Sequence, residues 1–170
     1  MRALTLTQPW AGLVASGIKR VENRPRAMIK RTDFGALFAI HASREIDSAV
    51  YSRIRDLAPE LFRGPGCAEI RTEMPWYALS RVTSAVIGVA RIDKVLEGGW
   101  NAESIREFAD TISFSDGSLL GHEQLRWFFG PVGYLTREAV AIAKPVPCRG
   151  QLGFWTLPDD VCNSVTAQLG

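Results

Sequence analysis

Lys19, Glu22 and Arg24 stand within six residues of one another. An ammonium, a carboxylate and a guanidinium at that spacing can hold an anionic ligand or move a proton. Which they do depends on the local backbone. If 18–24 is extended, alternation puts Glu22 and Arg24 on one side and Lys19, Val21 and Asn23 on the other. If 18–22 still turns, Lys19 and Glu22 become neighbours. An ion pair stabilises both charges, so contact alone does not make a proton-transfer pair. To act as a base, Lys19 needs burial or a second cation nearby, and Arg24 or Arg149 can supply the latter. At the surface the same pair is a salt bridge of about 0–1 kcal/mol.

Aromatic residues accompany these charges. Trp10 follows Pro9, Trp76 follows Pro75, and Trp127-Phe128-Phe129 precede Gly130-Pro131. Rings at the edges of elements can line a cleft, and flat rings beside basic groups suit a stacked base with a phosphate behind it. The spacing of Trp10 with Leu13 and Val14 reads as a core position in preference to a cleft one. Trp155, inside an apolar run, reads as core. His41 reads as a core or rim histidine, since no acid lies at a suggestive spacing. Ser43 reads as a helix N-cap, because the GxSxG elbow is absent. Cys148, beside Arg149, reads as a buried, inert thiol.

Short elements must position these groups. Residues 3–6 make a strand. Thr7 is placed to cap a helix with Pro9 in its first turn, and Gly17 is placed to stop it. Residues 35–42 make a buried strand. A second helix is capped by Ser43, has Glu45 and Asp47 in its first turn, and carries a core stripe of Ile46, Val50, Ile54, Leu57 and Leu61. Residues 62–75 form a Gly- and Pro-punctuated loop. A long strand over 84–97 bends at Gly88. Gly98-Gly99 turns the chain, and Asn101 caps a short helix with Ile105 and Phe108 inward. Asp116-Gly117 makes a turn, and strands follow over 134–148 and 152–158. A closing helix starts at Asp159, with Val161, Val165 and Leu169 on its inner face. The strands are too irregularly spaced for repeating βαβ units. The expectation is a single α+β domain over 1–170: a partly closed β-barrel of about five to six strands with peripheral helices.

The 170 residues carry a net charge of +2, but residues 1–35 hold seven Lys and Arg against two acids. That segment's net of +5, on a remainder of −3, suits an anionic ligand approaching one face. The three cysteines (Cys67, Cys148, Cys162) form no CxxC pair, and only two histidines are present. No metal site or disulfide framework is expected. GGWNAE and GPVGYL lack the spacings of phosphate-binding glycine loops, so no cofactor is expected. The opening MRALTLTQ has no apolar signal core, and no apolar run approaches 18 residues. The expectation is a soluble, cytoplasmic protein without a membrane partner.

The stretch QPWAGLVASGIKRVENR closely resembles the opening of the activating signal cointegrator homology (ASCH) domains, whose signature runs QPWA, a short helix, then GxKxxExR. The matching residues are Gln8, Pro9, Trp10, Ala11, Gly17, Lys19, Glu22 and Arg24. AIHAS at 39–43 and KPVPCRGQLGFWTLP at 144–158 resemble later strands of the same family. The resemblance implies a PUA-like fold with a cleft lined by the GxKxxExR segment. The implied ligand-binding residues are Gln8, Trp10, Lys19, Glu22, Asn23, Arg24, His41 and Ser43. The implied ligand is single-stranded RNA or a modified nucleoside or nucleotide. The alternative is a hydrolase acting on an acylated nucleoside or on RNA, with Lys19 and Glu22 as catalytic residues. Amidohydrolase members carry Thr where this chain has Glu22, so their hydroxyl nucleophile is missing here.

Overall fold

The computed structural model describes residues 1–62, 74–97 and 112–170. Most of the expected 62–75 loop, the Gly98-Gly99 turn, the Asn101-capped helix and Cys67 lie outside the described residues. Six strands form one sheet: β1 (Arg2–Gln8), β2 (Val21–Arg24), β3 (Leu37–Ile46), β4 (Ala85–Glu97), β5 (Val132–Pro147) and β6 (Phe154–Thr156). Their order is β2-β5-β4-β3-β1-β6, with β1 parallel to β3 and every other pair antiparallel. The two end strands do not pair, so the sheet is not closed. This is the expected α+β architecture of about six strands with peripheral helices.

Among the described residues, four α-helices cover the sheet: α1 (Trp10–Ala15), α2 (Ser48–Leu57), α3 (Pro75–Leu79) and α4 (Asp159–Thr166). Helix α1 does not start at Thr7. Strand β1 runs on to Gln8, and the Gln8 side-chain oxygen accepts from the Gly12 N–H at 3.1 Å, satisfying a first-turn donor. Gly17 ends α1 as expected, at φ +74°, the left-handed region that only glycine enters without steric penalty. The next residues bend, and β2 begins at Val21.

Ser43 caps no helix. Strand β3 continues through Ile46, and Asp47 caps α2 by accepting from Ala49 N–H at 3.0 Å. The stripe is therefore Val50, Ile54, Leu57 and Leu61, packed with the second core cluster, while Ile46 stays 36% exposed in the strand. Strand pairing to both β1 and β4 outweighs the local capping preference. Gly88 marks a register shift of β4 against β5, where the carbonyl of Val140 leaves no room for a Cβ.

Among the described residues, three clusters make the core. Leu4, Leu6, Ile40 and Ile87 meet Val14 and Ala15 of α1. Leu13, Ile54, Phe62, Trp76, Phe114 and Trp127 form the second cluster. Trp155, Leu157, Val86 and Val89 meet Val161 and Val165 of α4. Trp76 and Trp127 are wholly buried, so these two rings are core and do not line a cleft. Among the described residues, no helix is long and apolar enough to cross a membrane.

Candidate functional site: a basic cleft backed by a buried ion pair

The helix stop at Gly17 turns the chain so that Lys19 points inward. Its side chain is 1% exposed. The ammonium donates to the Val21 carbonyl at 2.5 Å and to Glu22 Oε2 at 2.7 Å, with the Trp10 ring centroid 5.4 Å away. The turned geometry is the one realised. Burial lowers the Lys19 pKa. Contact with Glu22 opposes that shift, and Arg24 adds slightly to it. The second cation beside Lys19 is thus Arg24, not Arg149.

Glu22 Oε1 lies 3.4 Å from Arg24 Nη2, which also donates to the Thr5 carbonyl at 3.1 Å. A continuous polar chain therefore runs from Lys19 through Glu22 and Arg24 to strand β1. Arg24 is its outer end and lines a cavity of about 380 Å³ together with Thr5, Thr7, Arg44 and Glu45.

This cavity shares Thr5, Ser43, Arg44, Gln151 and Leu152 with a larger neighbour of about 970 Å³, and the two form one cleft. Strand alternation explains the lining. Leu4 and Leu6 turn to the core, leaving Thr5 and Thr7 for the cleft, and Thr5 pairs with His41 across the parallel β1–β3 ladder. The loop 149–153, between β5 and β6, closes the far side. Arg44 and Arg149 are exposed here and have no ion-pair or hydrogen-bond partner among the described residues.

His41 is 1% exposed at the cleft floor. Its Nε2–H donates to the Cys148 carbonyl at 3.1 Å, which leaves Nδ1 as the acceptor nitrogen, without a partner. Burial holds its pKa below 6.5. The Trp155 ring stands edge-on to it at 5.7 Å, and Trp155 Nε1–H donates to Thr5 Oγ1 at 3.1 Å. Gly150 presses on the imidazole so closely that a Cβ there would fall 2.4 Å from Cε1. Burial pushes the Cys148 thiol up, which keeps it protonated and unreactive.

The sequence matches no protein-family model and no curated protein. Solved structures do match. The crystal structure of ASCH from Zymomonas mobilis is similar at a TM-score of 0.51 and 16% identity, covering 98% of this chain and 93% of that one. A serine-to-alanine point mutant of the same Zymomonas mobilis protein gives 0.50 and 16%, covering 98% and 94%. The chain has the ASCH-domain fold. At this identity the likeness is one of fold, and the site must be argued from its own residues.

Within the ASCH-type fold, the residues singled out in the sequence separate into three groups. Arg24, His41 and Ser43 line the cleft. Lys19 and Glu22 lie buried behind Arg24. Gln8, Asn23 and Trp10 hold the scaffold. The Gln8 amide donates to the carbonyls of Leu79 and Val82, tying β1 to the end of α3. Asn23 Nδ2 donates to the Trp127 carbonyl, and its Oδ1 accepts from Phe129 and Gly130, fixing the 127–130 turn. Trp10 is half-buried against Trp127 and Phe129. The GxKxxExR segment thus gives the cleft one described side chain, Arg24, and holds it with two others.

Sequence reasoning missed Thr5, Thr7, Arg44, Gln151 and Leu152 as lining residues. Arg149 and Trp155 stand out in the sequence, but for other roles. The signal lay in PCRGQLGFW, where two glycines flank a Gln and a Leu, with an Arg just before them, that no periodicity claims for the core.

Proposed function

We propose that this ASCH-fold chain binds single-stranded RNA or a modified nucleotide in the cleft between β1, β3 and the 149–153 loop. The observation that carries this reading is a pair of guanidinium groups, Arg44 and Arg149, without a partner among the described residues and facing a cavity of about 970 Å³. That volume suits a base with its sugar. The guanidiniums suit its phosphate, since their planar donor forks match phosphate oxygens. His41 and Trp155 lie at the floor of the cavity, where a base would sit.

Fluorescence anisotropy with a labelled 8-mer of RNA tests the reading, with free nucleotide as competitor. Wild-type protein binds, and Arg44→Ala and Arg149→Ala each weaken binding by about tenfold. Competition at equal phosphate concentration identifies a nucleotide pocket; its absence identifies a strand-binding groove. Binding that ignores both substitutions removes the cleft from consideration.

One observation favours a second reading, a hydrolase of an acylated nucleoside or of RNA. Burial of Lys19 favours the neutral amine that a general base requires. Against it, the ammonium already serves Val21 and Glu22 and is sealed from solvent. Prolonged incubation with N-acylated nucleosides and short RNAs decides the matter. Turnover that Lys19→Met removes while anisotropy binding persists would move the assignment to an enzyme.

A further inference from the structure

We propose that Leu152 is a wedge that packs against an unstacked base of single-stranded nucleic acid while its phosphates meet Arg44 and Arg149; this rests on the RNA-binding reading. Leu152 is 99% exposed and lines both cavities of the cleft. Single exposed apolar residues are common and usually mean nothing. The location distinguishes this one. Among the described residues, the other large exposed apolar side chains (Phe34, Ile46, Leu119, Phe129 and Val140) line neither cavity.

Gly150 rests against the His41 ring, and Gly153 takes the left-handed conformation at φ +71°. Between these two glycines Gln151 and Leu152 project over the opening. The rim charge selects the occupant: Arg24, Arg44 and Arg149 face it, with Glu45 the one acidic lining residue among those described. A polyanion with separable flat bases fits an apolar tip ringed by cations, as in proteins that insert Leu or Ile between bases.

The test uses the full chain with Leu152→Ser and Leu152→Phe, and an RNA 8-mer carrying 2-aminopurine, whose emission rises when the base unstacks. Since Leu152 is almost fully exposed, Leu152→Ser leaves the thermal midpoint unchanged. It weakens binding by about tenfold, leaves the salt dependence as in wild type, and removes the emission rise. Leu152→Phe retains both affinity and signal. Wild-type affinity and emission for Leu152→Ser would overturn the wedge and leave the RNA reading standing. An absence of RNA binding by wild-type protein sinks both. A dimer that Leu152→Ser dissociates, with RNA binding unaltered, assigns the side chain to self-association and also overturns the proposal.

Discussion

Lys19 and Glu22 illustrate how one pair of residues changes meaning with burial. Exposed, they would contribute little. Here the ammonium-bearing side chain is 1% and the carboxylate-bearing one 9% exposed, so each is the other's compensation for lost water. Glu22→Gln therefore strands a buried cation and costs about 3–5 kcal/mol, read by urea denaturation. Lys19→Met combined with Glu22→Gln recovers most of that loss. A Glu22→Gln protein within about 1 kcal/mol of wild type would show that the pair behaves as a surface bridge.

His41 gives a pH signature of definite sign. Its folded pKa lies below the ordinary 6.5, so at pH values between the two the unfolded chain takes up a proton that the folded one refuses. Its contribution to stability is complete above about 6.5 and is lost as the pH falls to the folded value. His41→Gln flattens that part of a midpoint-against-pH curve. The exposed His122 is unchanged in both proteins and drops out of the comparison.

At the scale of elements, the site depends on where α1 stops. Gly17 takes a left-handed conformation that sends the next residues inward, placing Lys19 N–H on the Leu13 carbonyl at 3.1 Å. The space around a Cβ at this position is open, with Ala139 at 3.9 Å, so the penalty for Gly17→Ala is conformational alone. It is about 1–2 kcal/mol, and Gly17→Asn loses less, since Asn tolerates this region. Calorimetric midpoints in that order check the argument. The helix stop was legible because only one residue type fits it. The start of α2 was not: Ser43 and Asp47 are both good caps, and the choice between them was made by β1 and β4 pairing with β3, the β1 ladder reaching residue 46.

Across the whole molecule, a net charge of +2 gives little long-range attraction for RNA. The proposed RNA affinity then rests on the guanidinium groups gathered at the cleft. If Arg24, Arg44 and Arg149 each neutralise one phosphate, the logarithm of the RNA association constant falls with the logarithm of salt concentration at a slope of about −2. Each Arg→Ala substitution makes the slope shallower by about 0.7. A slope near zero would mean that phosphates are not contacted. The three arginines come from β2, β3 and the loop before β6, so only the sheet order brings them to one rim.

The sequence by itself determined the elements whose signals are local: the Gly17 stop, the inner face of α4, the apolar strands and the α+β character. It also singled out Lys19, Glu22 and Arg24 as a group, because three ionic side chains so close in the chain remain close in space. Tertiary structure decided which of them faces the cleft. Burying Lys19 and Glu22 behind Arg24 is a consequence of β2 pairing with β5. Joining Arg24 to Arg44 and Arg149 is a consequence of β1 lying between β3 and β6. The contacts that set this order join distant parts of the chain, and no local spacing encodes them, because the free energy that fixes them is spread over the whole core.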